Sequence, residues 1–191
     1  MKQIAIFASG AGSNAKKIIE YFATIKQKRS AAVSLIVCNN PVAGVFNIAK
    51  ENNIPTLTIE KEKFFRGNAY VDELKTAGID FIVLAGFLWK LHGTLVKSFH
   101  RKIINIHPAL LPKYGGKGMY SHFVHEAVIA NKEKESGITI HYVDEVYDNG
   151  QIILQATCLV DEDETPDSLA KKVQVLEHRH FPAAVALLAT L

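Results

Sequence analysis

The sequence is poor in cysteine and has no long hydrophobic run. Only two of its 191 residues are cysteines, Cys38 and Cys158, and both lie in short apolar segments. Cysteines in such segments pack as small hydrophobic side chains more often than they form a disulfide. The apolar run at residues 4–8 is too short for the core of a signal peptide, and no run is long enough to cross a membrane. We therefore expect a cytoplasmic protein with no membrane partner.

The sequence also lacks an excess of charge of either sign. It has 22 Lys and Arg against 19 Asp and Glu, a formal net charge of +3. So small a charge gives no electrostatic basis for binding nucleic acid. Lys26, Lys28 and Arg29 come nearest to a basic cluster, and we interpret them as a solvated helix end. The expected partners are small molecules, and the expected assembly is a monomer or a weak homodimer.

Short apolar runs alternate with helical patterns through the first half of the chain. This alternation is typical of an α/β protein with a doubly wound, mostly parallel sheet, in which ligands bind at the carboxyl ends of the strands. Strands are predicted at residues 3–8, 32–38, 56–59, 81–85 and 103–106, and helices at residues 15–24, 43–52, 70–77 and 93–99.

The second half follows a different pattern. Residues 137–143 and 151–159 read as two strands joined by a turn at Asp148, Asn149 and Gly150, which predicts an antiparallel hairpin. A helix is predicted at residues 123–130. Another is predicted at residues 167–179, with Thr165 as its N-cap and Pro166 in its first turn. Pro182 is expected to start a separate final helix, and the whole of residues 1–191 to form a single domain.

A glycine loop, "SGAGSNA" at residues 9–15, joins the first strand to the first helix. Its glycines fit the dinucleotide fingerprint, but that site also needs an acidic residue at the end of the second strand. Asn39 and Asn40 stand there instead. Ser13 and Asn14, together with free N–H groups of the first helical turn, favour a site for one phosphate. A dinucleotide site and a purely structural turn remain the alternatives.

The segment "NIHPALLPKYGG" carries the main candidates for chemistry. Asn105 and His107 are two residues apart on a strand, so their side chains point the same way. Two donors at a strand's carboxyl end suit a carbonyl oxygen that becomes negative in a transition state. Asp148 is the best candidate to hold the imidazole, with Asp144 and Glu145 as rivals. A histidine bonded only structurally within a turn is the alternative.

The sequence motifs give little support for metal-dependent or covalent catalysis. His122 and His125 have a spacing that could hold a metal, but no further ligand motif accompanies them. No nucleophile motif is present. We expect no metal.

Four segments in order resemble the phosphoribosylglycinamide formyltransferase family, whose members use a folate in purine synthesis. They are "IFASGAGSNAKKIIEYF", "NIHPALLPKYGG", "GITIHYVDEVYDNGQIILQ" and "VQVLEHRHFP". The resemblance implies a Rossmann-like formyltransferase fold. It also implies transfer of the formyl group of 10-formyltetrahydrofolate to the amine of glycinamide ribonucleotide, with the folate as co-substrate and no nicotinamide.

The resemblance also assigns roles to residues. Residues from about 1 to 100 would bind the phosphate and ribonucleotide, and those from about 101 to 191 would hold the catalytic and folate sites. The implied residues are Asn105, His107 and Asp148 for catalysis, Gly12, Ser13 and Asn14 for the phosphate, Glu177 for the ribonucleotide, and Leu88, Trp89, Lys90, Leu91, Arg66 and Asp144 for the folate.

The implied mechanism is direct attack of the amine on the formyl carbon. Asn105 and a protonated His107 would stabilise the oxyanion, and the charge of Asp148 would favour the imidazolium, directly or through a water. Other users of the same folate are the nearest alternatives: a hydrolase, or a transferase acting on methionyl-tRNA or a sugar nucleotide. The hydrolase and these transferases resemble longer proteins, with an added N-terminal regulatory or C-terminal barrel domain, which we do not expect here. Outside that group, a nicotinamide enzyme or a non-catalytic phosphate-binding module remains.

Overall fold

A seven-stranded mixed sheet forms the centre of the computed structural model, which describes residues 1–25 and 30–191. The predicted basic cluster of Lys26, Lys28 and Arg29 lies outside the described residues. The strands are β1 (Lys2–Ala8), β2 (Ala31–Cys38), β3 (Thr56–Thr58), β4 (Phe81–Leu84), β5 (Ile103–His107), β6 (Glu135–Tyr142) and β7 (Ile152–Leu159).

Helices connect these strands and cover both faces of the sheet. Two separate apolar clusters of buried side chains, one built around Ile4 and Ile6 and the other around Ala5 and Phe7, show that β1 contributes to a core on each face. The helices are α1 (Ser13–Thr24), α2 (Val45–Glu51), α3 (Lys61–Arg66), α4 (Val71–Thr76), α5 (Gly93–Ser98), α6 (His122–Ala130) and α7 (Pro166–Leu188). The short helix α3 was not predicted from the sequence.

The strand order β3-β2-β1-β4-β5-β6-β7 places the change of winding direction between β1 and β4. Strands β1 to β5 are parallel, whereas β6 runs antiparallel to β5 and β7 antiparallel to β6. The predicted fold class, a doubly wound sheet with an antiparallel C-terminal hairpin, is confirmed. A ligand is expected at the carboxyl ends of the strands near such a switch point.

Two glycines allow the β6–β7 hairpin to close. A Cβ on Gly137 would collide with the carbonyl oxygen of Ala156, and a Cβ on Gly150 would collide with that of Tyr142. Both positions therefore need the close backbone approach that only glycine permits.

The final helix corrects one prediction. Thr165 caps α7 and Pro166 lies in its first turn, as predicted, but the helix continues through Pro182 to Leu188. A proline inside a helix removes one backbone hydrogen bond and crowds the preceding turn. Here Phe181 and Pro182 are both buried, so packing against the core outweighs that local cost.

Both cysteines are free thiols, and none of the helices in the described part of the chain is long and apolar enough to span a membrane.

Candidate active site

A cavity of about 770 Å³ opens at the carboxyl ends of β1, β4 and β5. Its volume is in the range of small-molecule binding sites. Ser9 and Asn14 line one part of it, Asn105 and His107 line the floor, and Asp148 and the segment after β6 close another side. The polar groups predicted at several strand ends therefore share one cavity.

His107 is held at the end of β5 with its two ring nitrogens in different surroundings. The side chain is buried, with 4 % of its surface exposed. Its Nε2 lies 2.7 Å from the carbonyl oxygen of Tyr114, so Nε2 carries the hydrogen and donates it. The lone pair of the neutral ring is then on Nδ1, which lies 3.7 Å from Asp148 Oδ2.

Burial lowers the pKa of the His107 imidazole below its usual value, and His141 adds to this effect. Asp148 and the Tyr114 carbonyl act in the opposite direction without offsetting the burial. At neutral pH the resting ring is therefore neutral, with an acceptor at Nδ1. The sequence-based mechanism invoked a protonated ring, which burial disfavours before substrate reacts.

Asp148 lies in the segment before β7 with a left-handed backbone (φ 51°), a conformation that aspartate tolerates better than most residues. Its Oδ2 accepts a hydrogen bond of 2.9 Å from the Gly116 N–H. Burial alone would raise the pKa of this carboxyl, but His141, His107 and the Gly116 N–H outweigh it and hold the pKa below its usual value. Asp148 is thus a carboxylate at neutral pH and favours a positive charge on His107 once a proton arrives.

His141, which the sequence reasoning missed, orients Asn105. The two residues face each other in the β5–β6 register. His141 Nδ1 lies 2.9 Å from the Tyr142 carbonyl oxygen and donates to it. In the neutral ring this leaves Nε2 as an acceptor, whereas in the protonated ring Nε2 carries a hydrogen that faces Asp148 Oδ1, 3.7 Å away. The Asn105 Nδ2 amide lies 3.1 Å from that Nε2 and donates one hydrogen, so its second N–H is free to point elsewhere. The signal in the sequence was a histidine in an otherwise apolar strand, "GITIHY".

Within the glycine loop, Gly10 and Asn14 line the cavity, whereas Gly12 and Ser13 are not among its lining residues. Gly12 caps α1 with φ 80°, and a Cβ there would lie 2.7 Å from Val45 Cγ2, so this glycine packs against α2. The N–H groups of the first turn of α1 have no acceptor within the helix. Ser13 Oγ accepts a long hydrogen bond of 3.4 Å from Gln174 of α7.

Asn14 holds Glu177 rather than leaving its amide free. Asn14 Nδ2 donates to Glu177 Oε2 at 2.8 Å, across the α1–α7 contact. Burial raises the pKa of the Glu177 carboxyl, against a lowering by Asn14. Both residues line the cavity, and the Asn14 Oδ1 atom is buried without a partner. Asn14 and Glu177 thus form one polar unit facing the cavity.

Most of the residues predicted for the folate line the same cavity. They are Leu88, Trp89, Lys90, Leu91 and Asp144.

Arg66 is the exception among them. It is not among the cavity-lining residues, and its exposed side chain pairs with Glu62 at 3.0 Å. Ser9, also missed from the sequence, holds the backbone at the start of the segment 88–91: its Oγ accepts from the Leu88 N–H at 3.0 Å.

The two histidines of α6 differ sharply. His122 is about half exposed and pairs with Glu126 at 3.0 Å. His125 is buried and lines the cavity, and its Nδ1 has no hydrogen-bond partner. Burial lowers the pKa of His125, with smaller contributions from His122 and His107. No group of three or more His, Cys, Asp or Glu side chains within residues 1–25 and 30–191 could hold a metal ion.

A family model described as formyl transferase matches residues 2–185. The chain belongs to the formyl transferase family. Within this family it is 40 % identical to the chloroplastic phosphoribosylglycinamide formyltransferase of Arabidopsis thaliana, over 96 % of this chain and 64 % of that protein. It is 34 % identical to the phosphoribosylglycinamide formyltransferase of Bacillus subtilis, over 100 % of this chain and 96 % of that protein.

Solved structures of family members have the same fold. The crystal structure of phosphoribosylglycinamide formyltransferase from Bacillus halodurans matches with a TM-score of 0.87 and 37 % identity, over 98 % of this chain and 95 % of that one. The family resemblance drawn from the four sequence segments is thereby confirmed. The chain spans slightly less than two thirds of the length of the Arabidopsis relative.

Proposed function

We propose that this chain transfers the formyl group of 10-formyltetrahydrofolate to the primary amine of glycinamide ribonucleotide, a step of purine synthesis. One observation carries the proposal: Asn105, His107 and Asp148 meet in a cavity that is also lined by Asn14, in the first turn of α1, and by Glu177. A formyl transfer needs an oxyanion donor, a proton acceptor and a way of holding both substrates. The similarity to phosphoribosylglycinamide formyltransferases supports the same reaction.

The ribonucleotide phosphate is assigned to the glycine loop. Free N–H groups at the start of α1, beginning at Ser13, favour an anion there through both hydrogen bonds and the helix dipole. Gly12 allows the backbone to turn into this position. Asn14 contributes by holding Glu177, which accepts from the ribose hydroxyls or the glycinamide N–H.

The folate is assigned to the wall formed by Leu88, Trp89, Lys90 and Leu91, with Asp144 across from it. Trp89 packs against Phe64 and Phe65, with ring centroids 5.5 and 5.4 Å away, and so gives this wall a rigid apolar surface. Arg66 lies outside the cavity with its exposed side chain paired to Glu62, and its assignment to the folate stays a prediction.

The chemistry then follows from the proton positions. The amine nitrogen attacks the formyl carbon, a C–N bond forms, and the carbonyl electron pair moves to oxygen. The free N–H of Asn105 stabilises that oxyanion. His107 Nδ1 accepts a proton from the attacking nitrogen, and the carboxylate of Asp148 stabilises the imidazolium that results.

Collapse of the tetrahedral intermediate breaks the bond to the folate nitrogen. That nitrogen takes a proton, and His107 returns to its neutral form by losing one. The imidazolium expected from the sequence thus arises during the reaction and not before it. His107 and Asp148 need no change of position between these steps.

The test is a formyl-transfer assay with purified protein, comparing glycinamide ribonucleotide with water as the acceptor. We expect formyl-glycinamide ribonucleotide to form, and the folate to be hydrolysed much more slowly. Rapid hydrolysis without transfer would make the chain a hydrolase, and no turnover of the folate would support a binding module. A cytoplasmic location, small-molecule partners and a monomer or weak homodimer remain part of this proposal.

A further inference from the structure

A three-residue segment after β5 contacts both His107 and Asp148 through its backbone. The Tyr114 carbonyl oxygen accepts the Nε2–H of His107 at 2.7 Å, and the Gly116 N–H donates to Asp148 Oδ2 at 2.9 Å. Between them, a Cβ on Gly115 would lie 3.3 Å from Asp148 Cβ. The position of this segment therefore determines which nitrogen of His107 is free and where Asp148 points.

The segment is held by side chains that do not reach the cavity floor. The Tyr114 hydroxyl donates to Glu133 Oε1 at 2.9 Å. Lys113 Nζ donates to both carboxylate oxygens of Glu133, at 2.9 and 3.1 Å. Glu133 is itself tied to α6 through its N–H, which donates to the Val128 carbonyl oxygen at 3.2 Å. The loop after β5 is thus anchored to the end of a helix.

Tyr114 needs such an anchor because its backbone is left-handed, with φ 57°. A residue other than glycine is strained in this region and persists there only where its surroundings hold it. The hydrogen bond from the Tyr114 hydroxyl to the Glu133 carboxylate supplies this anchor, because a bond to a charged acceptor is stronger than one between two neutral groups.

We propose that Tyr114 and Glu133 are positioning residues, which hold the Tyr114 carbonyl against His107 Nε2 and so keep Nδ1 free to accept the proton. The consequence of this positioning for catalysis rests on the proposed function, but its effect on the titration of His107 does not. Without the hydroxyl–carboxylate bond, the carbonyl moves away from Nε2 part of the time. His107 then loses an interaction that favours its charged form, and its titration moves to lower pH.

Two readouts test this in the full chain. The first is the pH titration and tautomer of His107, followed by side-chain ¹⁵N NMR of the ligand-free protein. The second is steady-state formyl transfer. The variants are Tyr114→Phe, Glu133→Ala and Glu133→Gln, the last of which keeps an acceptor for the hydroxyl. Tyr21→Phe on α1 removes a hydroxyl far from the site and is the matched control.

We expect Tyr114→Phe and Glu133→Ala to lower kcat about tenfold, the size of one hydrogen bond to a charged group, with both KM values changed less than about twofold. In both variants the His107 titration should move to lower pH. Glu133→Gln and Tyr21→Phe should behave as the unaltered chain does.

An unchanged His107 titration in Tyr114→Phe and Glu133→Ala would overturn the inference, as would an unchanged kcat. Should Glu133→Ala fail to fold, Tyr114→Phe still decides, because it removes a single oxygen atom. If the unaltered chain transfers no formyl group, the proposed function fails, while the titration still judges the positioning of His107.

Discussion

The two ring nitrogens of His107 have different neighbours, and these neighbours determine which nitrogen is free to exchange a proton. Nε2 is occupied by the Tyr114 carbonyl, so only Nδ1 can exchange a proton, and Nδ1 is the atom that faces Asp148. Asn105 follows the same logic, since His141 takes one amide hydrogen and leaves the other. The free N–H of Asn105 and the free Nδ1 of His107 therefore depend on His141 and Tyr114, which lie outside the proposed catalytic trio.

Replacing His107 or Asp148 by Ala tests these tasks. We expect kcat to fall by about 10²–10⁴-fold, the range for loss of general acid–base catalysis. The KM for the ribonucleotide should change little, because neither side chain holds its phosphate or ribose. Steady-state kinetics measure both constants, and His122→Ala, on the exposed side of α6, is the control. A near-normal kcat in either variant would remove the proposed mechanism.

Ser13→Ala tests the phosphate site. The hydroxyl lies at the start of α1 beside Gln174, where an anion would meet free N–H groups. Loss of one hydrogen bond should raise the ribonucleotide KM about 3- to 10-fold and leave kcat nearly unchanged. Ser98→Ala at the exposed end of α5 serves as the control. A change confined to the folate KM would place the phosphate elsewhere.

At the scale of elements, the site is assembled by strand pairing. The antiparallel β5–β6 register sets Asn105 opposite His141, and the turn before β7 carries Asp148 back over the end of β5. Asp144 organises the loop between β6 and β7, since its carboxylate accepts from the Val146 N–H at 2.8 Å and the Asn149 amide at 3.2 Å. A change of register in this hairpin would separate Asn105 from His141 and Asp148 from His107.

Gly150→Ala tests that dependence. Its new Cβ would meet the Tyr142 carbonyl oxygen, so β7 must shift away from β6 where Asp148 is held. We expect a loss of about 1–3 kcal/mol of unfolding free energy, as for other overpacked positions, with a clear loss of kcat. Urea denaturation and kinetics measure the two effects. Asn149→Ala, at the neighbouring exposed position, should cost much less, and equal effects in the two variants would contradict the steric argument.

At the scale of the whole molecule, stability and ionisation are linked through buried histidines. Burial is the first cause that lowers the pKa of His107, His125 and His178. These folded-state values lie below the usual 6.5 of an unfolded chain, so the unfolded state binds more protons in acid. The stability that these neutral histidines contribute is fully present above pH 6.5. It is lost as the pH falls from there through their lower folded-state pKa values.

His125→Asn isolates one of these contributions. The difference in unfolding free energy between the unaltered chain and this variant should decrease as the pH falls from about 7.5 to 5.5, because only the unaltered chain has to keep His125 neutral. Urea denaturation at several pH values measures it. A difference independent of pH at His125 would mean that the folded protein accommodates the imidazolium.

Much of the fold could be predicted from local pattern. Apolar runs such as those of β1 and β4 are bounded by turn residues, and Asn105 and His107 alternate on one strand whatever surrounds it. Pro182 could not be predicted in this way. It reads locally as a break, because the packing of Phe181 and Pro182 against the core is not visible in the neighbouring residues.

By itself the sequence determined the fold class and the segments that carry the chemistry, since hydrophobic periodicity, glycine turns and short motifs act over a few residues. Only the tertiary structure decided the protonation of His107, the orientation of Asn105 and the pairing of Asn14 with Glu177. Each of these depends on groups that are distant in the chain and meet in a buried space. There, the cost of an unpaired or charged group selects one arrangement.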